Sequence, residues 1–350
     1  MNIAYIIPSR HKLGPIIVVY ELVSQVVKKG HCVTVFYFDD YQDNVFDFPC
    51  ETQKIGFGDN INFQEYDVVH SHGFRPDMYV FIHKPFRAIS TCFVTTIHNF
   101  VIEDLSSEYN RKIGFLIGHL WMFILRRHDY RVVLSKVAKK YYRRWFTEKE
   151  MVAIYNSRSI DHTQSLTEDE KNELIKFKGD SILIGANAML TPLKGFDMVL
   201  RAMTYNKKLK FFLVGEGKSK NDLYTLAKEL GILDRVFLAG YRENAYRYIP
   251  FYDLYMMPSR SEGFGLALLE AVALKCNVVV SDIPIFRELF NENEVTFFEI
   301  ENIKSLSEAI EKAMKVGKSE AAFEKYMQKY TPDIFAERYL EVYKRKGYSL

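Results

Sequence analysis

The chain has 350 residues, 48% hydrophobic and 26% charged, with 47 basic against 44 acidic residues and a formal charge of +3. These proportions exclude an intrinsically disordered, collagen-like or low-complexity chain, and the charge balance does not point to wholesale nucleic-acid binding. The length is about twice a ~150-residue domain, so two domains with separate cores are expected.

The opening, MNIAYIIPSR, reads as a first strand and not as a signal peptide, because no basic start precedes a long apolar run. Further strands are predicted near 32–38, 68–71, 93–97, 130–134 and 152–155, with helices over 15–29 and 111–127. The second half repeats the pattern, with strands near 182–186, 210–214, 236–239, 254–257, 278–281 and 296–298. Its helices are predicted over 195–204, 219–230, 266–274 and 303–315. Strand and helix in alternation predict an α/β chain of two Rossmann-like, doubly wound domains.

The boundary is expected in the polar stretch 156–179, dividing a first domain, 1–157, from a second, 158–330. The remainder, 331–350, carries Ile334, Tyr339, Leu340 and Tyr343 on one helical face, which suits a helix packing back on the first domain. Cys32, Cys50, Cys92 and Cys276 stand far apart with no CxxC, so neither a zinc knuckle nor a disulfide framework is indicated. No run approaches ~18 apolar residues; the nearest, 113–125, is interrupted by His119.

Open parallel sheets bind ligands beyond the carboxyl ends of their strands, where the strand order reverses. With two such domains the cleft between them is the expected site. The richest segment after a strand is PSRSEGFGLALLEA, residues 258–271. Gly263 and Gly265 permit close approach of backbone to ligand, and the N–H groups of Phe264, Gly265 and Leu266 open a helix and suit an anion. Glu270 is the sole charge in an otherwise apolar helix, where ligand hydroxyls would satisfy it. A structural ion pair at Glu270 and a loop cap at Glu262 are equally open readings.

Lys194, beside Gly195 at the next helix start, is placed to neutralise a diphosphate, or is simply solvated. The strand ending in VGEG brings a glycine turn at Gly215, and the turn AGYRE carries Arg242. In the first half, Gly14 opens a helix after the first strand. His98 ends a strand in TTIHN, and His70 and His72 end another in HSHG, without the further ligands a metal pair needs. Asp39, Asp40 and Asp43 read as a solvated turn, so no metal-dependent diphosphate site is indicated. GxxxxGK[ST] and strict GxGxxG are absent, against NTPases and dehydrogenases. Residues 126–149 hold nine basic residues against Asp129 and Glu148, interleaved with Tyr141, Tyr142, Trp145 and Phe146. That segment is either a basic aromatic face for an anionic membrane or acceptor, or a solvated helix whose aromatics are core.

Taken together, SRSEGFGLALLEA with Glu262 and Glu270 resembles the E-x7-E signature of retaining GT-B glycosyltransferases, family 4 (glycosyl transferases group 1). HSHG, TTIHN, VVLSKVAKKYY, IYNSRSID, PLKGFD, LVGEG, LAGYREN and SDIP follow in the family's order over nearly the whole chain. The resemblance implies a GT-B enzyme of polysaccharide, lipopolysaccharide or capsule synthesis. It would transfer a hexosyl group from a nucleotide sugar, UDP by family frequency, to a saccharide or lipid-linked acceptor. Configuration would be retained and neither metal nor cofactor needed.

The resemblance implies His98, Lys194 and Glu262 as the catalytic set. It implies Gly14, Gly215, Arg242, Phe264, Gly265, Leu266 and Glu270 as the donor contacts, with Glu270 on the ribose and Lys194 on the diphosphate. A cytoplasmic protein, peripheral at the inner membrane face, is implied as well. The pattern departs at Met189, where the family often has a second diphosphate-binding arginine, a charge Arg260 is placed to replace. Lys275-Cys-Asn277 and Ser157 are further departures. The competing readings are a non-catalytic sugar-nucleotide-binding subunit and a GT-B epimerase.

Overall fold

The computed structural model describes residues 1–12, 14–87 and 89–345. They form two compact units, one of residues 1–158 with the segment from Tyr330 onward, the other Ser159–Lys329.

The first unit is built on β1 (Asn2–Ser9), β2 (Cys32–Asp39), β3 (Glu51–Lys54), β4 (Val68–His72), β5 (Cys92–Ile97), β6 (Tyr130–Val133) and β7 (Met151–Ala153). Their order is β3-β2-β1-β4-β5-β6-β7, and every pairing is parallel. Ile3 to Ile7 are all at 0% exposure, because helices cover both faces, so the strand reads as a continuous apolar run without alternation. Sequence reasoning missed β3. Its ETQK is polar and mostly exposed, pairs only with β2, and carries no apolar signal.

The second unit has β8 (Ile182–Asn187), β9 (Leu209–Val214), β10 (Val236–Gly240), β11 (Leu254–Met257), β12 (Val278–Ser281) and β13 (Thr296–Phe298). The order is β10-β9-β8-β11-β12-β13, again parallel throughout. It therefore reverses between β8 and β11, which makes the loops leaving those two strands the binding crevice of this unit.

The stretch 156–179 is not merely a polar boundary, for it contains the helix Glu168–Lys178. Thr167 and Glu170 form a capping box, acids fill the first turn, and Lys176 and Lys178 close the last. Its only buried side chain is Leu174, so local capping and charge specify it rather than an apolar stripe.

The helix Pro332–Lys344 packs against the helix Gly14–Lys28 of the first unit. Tyr339 and Tyr343, one turn apart, both face inward. The Tyr343 hydroxyl meets His70 Nδ1 at 2.7 Å and the Tyr5 hydroxyl at 3.0 Å, and the Tyr339 hydroxyl meets Thr96 Oγ1 at 3.0 Å. His70 Nε2 lies 2.9 Å from Thr96 Oγ1, which completes a buried polar network.

The basic segment is divided between core and surface. Tyr142 and Phe146 are core residues and Arg131 is 1% exposed, while Tyr141 and Trp145 are half-buried, so the aromatics divide between core and surface. The helix Lys136–Tyr142 has seven residues, with Ala138 and Tyr142 turned into the core and Tyr141 left half-buried. The exposed apolar face belongs instead to the preceding helix, Arg111–Leu125, through Ile113, Phe115, Leu116, Leu120 and Phe123. No helix among the described residues is long and apolar enough to cross a membrane.

Candidate functional site

The loop leaving β8 starts from a buried anchor. Asn187 donates through its N–H to the Tyr255 hydroxyl (3.1 Å) and through Nδ2 to Ala245 O (2.9 Å), and its Oδ1 accepts from the Tyr252 hydroxyl (3.1 Å). The loop then enters the turn Pro192–Lys194 and Gly195, which is left-handed at φ 68°. A Cβ at Gly195 would lie 2.1 Å from the Pro258 carbonyl oxygen. Glycine is required twice here, for the backbone conformation and for contact with the chain leaving β11.

Arg260 locks the same contact. Its N–H donates to Leu193 O at 2.7 Å and its Nη1 to Pro192 O at 2.7 Å. The guanidinium also forms a bidentate pair with Asp197, both bonds 2.8 Å, and bonds to Glu301 at 2.5 Å. Arg260 is thus committed to two carboxylates and does not supply the positive charge missing at Met189, which is 64% exposed.

The clamped turn delivers Lys194 to Glu262. Lys194 Nζ donates to Glu262 Oε1 at 2.5 Å, and Ser259 Oγ donates to the same oxygen at 2.7 Å. The Glu262 side chain is 9% exposed and Lys194 25%, so the ammonium compensates a carboxylate largely removed from water. Oε2 of Glu262 accepts no hydrogen bond from the described residues.

Glu270 lies half-buried in the helix Leu266–Ala273. The buried Tyr255 phenol is pushed far up, first by desolvation, then by the charge of Glu270, with a smaller contribution from Glu262. Both carboxylates therefore act on one tyrosine. Gly265 caps the helix at φ 97°, with no side chain capping it, and a Cβ there would meet Phe286 and Met257 at 3.1 and 3.2 Å. Phe264 is 3% exposed, and Leu266 starts the helix.

Two predicted donor residues have other engagements in this structure. Gly215, at φ 143°, would place a Cβ 1.8 Å from Ala188 O, and its N–H already donates to Gly240 O at 2.8 Å. It shapes the loop that carries Met189. Arg242 pairs through Nη2 with Glu173 at 3.3 Å, while its buried Nε has no partner. It is not joined to the Lys194–Glu262 pair.

In the first unit, His98 follows β5 with its Nε2 3.0 Å from His72 Nδ1. Burial pushes its pKa down to about 4, so the ring is neutral near neutral pH. Burial also holds His70 and His72 well below the usual imidazole range. Gly14 opens its helix in the open, where a Cβ would meet nothing within 4 Å.

Sequence reasoning missed one cluster. Asp77, 1% exposed, accepts from Ser71 Oγ (2.6 Å), Thr95 Oγ1 (2.8 Å) and Trp121 Nε1 (2.8 Å), and His128 Nε2 lies 2.9 Å from Ser71 Oγ. Burial raises Asp77 to about 7 and lowers His128 to about 3. The only signal was a set of dispersed polar residues, which no local pattern connects.

The acidic turn is not simply solvated. Asp39 forms a two-bond pair with Arg75, and Asp40 bonds Lys54 at 2.7 Å. Among the described residues no group of three or more His, Cys, Asp or Glu is gathered to hold a metal ion.

Comparison with known proteins identifies the family. The profile of glycosyl transferases group 1 matches residues 167–330. The chain is 34% identical over 352 residues to an O-antigen biosynthesis glycosyltransferase, WclY, of Escherichia coli, covering 98% of each chain. It is 32% identical over 133 residues, 37% of this chain and 36% of the other, to N-acetylgalactosamine-N,N'-diacetylbacillosaminyl-diphospho-undecaprenol 4-alpha-N-acetylgalactosaminyltransferase of Campylobacter jejuni. Among solved structures it is similar to Anabaena Alr3699/HepE in complex with UDP and glucose. The TM-score is 0.77 at 16% identity, covering 98% of this chain and 99% of that chain. A likeness at that identity concerns the fold alone, and the fold is GT-B.

Proposed function

The chain belongs to the glycosyl transferases group 1 family and is a glycosyltransferase; from that premise we propose that it retains anomeric configuration, needs no metal ion, and takes its sugar from a UDP-sugar. The acceptor is a cell-surface polysaccharide or a lipid-linked saccharide of the O-antigen kind. One observation carries the reading. Lys194 and Glu262, in contact at 2.5 Å, stand where the strand order reverses, beside a helix start with no side-chain cap. An ammonium and helix N–H groups are what a departing diphosphate requires, and a carboxylate with acceptor capacity left on Oε2 suits sugar hydroxyls.

In this reading Glu270 holds the ribose hydroxyls, and the backbone of Phe264, Gly265 and Leu266 lies along the sugar and diphosphate. Neutral His98 donates or accepts one hydrogen bond near the reacting sugar and does not act as a charge. The acceptor hydroxyl attacks the face from which the diphosphate leaves, and the leaving phosphate takes its proton. Support for the donor comes from the UDP bound to the Anabaena neighbour, and for the acceptor from the names of the two relatives. The exposed apolar face of Arg111–Leu125, ending at Arg126 and Arg127, supports attachment to an anionic membrane where a lipid-linked acceptor would reside.

A thermal-shift screen against UDP-, GDP-, ADP- and dTDP-sugars, with and without chelator, tests the donor. A ligand at about 100 times its dissociation constant adds about 2.7 kcal/mol. A shift with UDP-sugars that chelator leaves intact is expected, and the anomeric coupling in the product's proton spectrum then reads the stereochemistry. A chelator-abolished shift, or an inverted product, overturns the reading. Exposed Met189 and fully engaged Arg260 favour one alternative, a donor-binding subunit, which would bind UDP-sugar yet neither transfer nor hydrolyse it.

A further inference from the structure

Away from the sites above, the first unit has a cleft of about 600 Å³ lined by Arg126, Arg131, Arg143 and Arg144 against Glu148 and Glu150. The geometry points to this cleft as a binding pocket for a phosphoryl group, a phosphomonoester or diphosphate dianion, held by Arg131 at its base and by Arg126, Arg143 and Arg144 at its rim. The inference stands apart from the sugar-transfer reading.

Arg131 is the central observation. It sits on β6, 1% exposed, between β5 and β7. Its Nε and Nη2 both donate to Leu125 O, at 3.0 and 2.8 Å, and its guanidinium lies 4.9 Å from the Phe146 ring. Nη1 is buried with no hydrogen-bond partner. The nearest carboxylate oxygen, Glu150 Oε1, stands 3.6 Å away, beyond hydrogen-bond reach, because Glu150 is held aside by its own cap. Its Oε2 accepts from Thr147 N–H and Oγ1, at 3.1 and 2.9 Å. A buried guanidinium that leaves one N–H pair unmade forfeits a charge-assisted bond unless a ligand supplies the acceptor.

The rim agrees. Among the described residues the Arg126 side chain makes no hydrogen bond or ion pair. Arg144 is pre-positioned over Tyr141 and Trp145 at 5.2 and 5.9 Å, with its donors unused. Arg143 is paired only with Glu148, which Lys139 also contacts at 3.1 Å. Arg131 pairs in register with Thr95, three residues before His98, so the pocket lies roughly 10 Å along the sheet from that histidine. A phosphate held here is not the one leaving in the reaction.

Titration of the full-length protein with inorganic diphosphate, without metal, tests the pocket. The same titration of Lys194→Ala removes the competing diphosphate site. Saturable binding that survives Lys194→Ala is expected. Arg126→Gln with Arg144→Gln should weaken it by about tenfold or more, the value of one charge-assisted bond. Neither side chain has a hydrogen-bond or ion-pair partner among the described residues to lose, and an unchanged melting temperature confirms the fold. Glu148→Gln should tighten binding by about threefold, since it removes an anion and releases Arg143, a gain no loss of structure produces.

Binding lost in Lys194→Ala but intact in the double variant, or no saturable binding in either background, overturns the proposal. So does an affinity that neither the double variant nor Glu148→Gln changes. Sedimentation with phosphatidylcholine vesicles carrying phosphatidic acid, against vesicles of equal charge carrying phosphatidylglycerol, separates the sources. A phosphomonoester preference lost in the double variant identifies a lipid headgroup. Diphosphate binding without that preference identifies a soluble phosphorylated ligand.

Discussion

Replacing Gly195 by alanine tests whether the Lys194–Glu262 contact is imposed by the packing of two loops. The new methyl would fall 2.1 Å from the Pro258 carbonyl oxygen and 2.6 Å from Met198 Cε. The methionine tip can swing aside, but the carbonyl belongs to a backbone tied to the same turn through Arg260 and Leu193. A non-glycine residue in left-handed backbone costs roughly 1–2 kcal/mol. Overpacking a closed contact adds about 1–3 kcal/mol. The sum is about 2–5 kcal/mol, placed on the second unit, Ser159–Lys329. At roughly 2–4 °C per kcal/mol for a unit of this size, its melting temperature should fall by about 4–20 °C.

Calorimetry measures the loss, and turnover with a UDP-sugar shows whether Lys194 has shifted. Gly14→Ala is the control, for no atom lies within 4 Å of its Cβ position. It should stay within about 0.5 kcal/mol of the parent. Gly195→Ala melting with the parent, at parental turnover, would refute the clamp.

Two further outcomes follow from the same geometry. Lys194→Ala should lower kcat by roughly a hundredfold while raising KM little, since the charge it meets grows in the transition state; steady-state kinetics reads the split, and an effect on KM alone would make Lys194 a binding residue. Glu270→Ala should weaken UDP binding by about tenfold in a calorimetric titration, and unchanged affinity would remove it from the ribose.

Stability of the first unit should fall as pH drops below about 6.5. His98 and His128 are lowered to about 4 and about 3, and His70 and His72 well below normal. The unfolded chain therefore binds protons that the fold refuses. Each histidine costs about 1 kcal/mol per pH unit there, whatever its folded value, so long as the pH stays above that value. Asp77, raised to about 7, acts in the opposite sense, since its contribution is present at low pH and lost as pH rises through about 7. His31 is lowered too, chiefly by burial, so the histidines outweigh Asp77 and the net sense is a loss of stability as pH falls. Urea midpoints between about pH 7.5 and about pH 5.5 measure it, and a flat profile would show that the rings are solvated.

The alternation of strand and helix was legible because it is written in neighbouring residues. Apolar runs buried on both faces mark β1 or β11, and β11, β12 and β13 begin and end where the pattern says. The loop bearing Glu262 and the helix bearing Glu270 follow from that placement alone. What only the tertiary structure decided are contacts between segments far apart in sequence. Lys194 and Glu262 are 68 positions apart, and their meeting depends on a glycine fitting under one carbonyl. Arg260 is consumed by Asp197 and Glu301, and Gly215 serves the loop before it, though both read locally as ligand groups. Arg131 looks like one more surface charge in a basic run, yet it is buried on β6. Periodicity reports which face of an element is apolar. It carries no information on which partner fills that face or which polar group loses its water, because those are set by the packing of elements that the chain brings together from a distance.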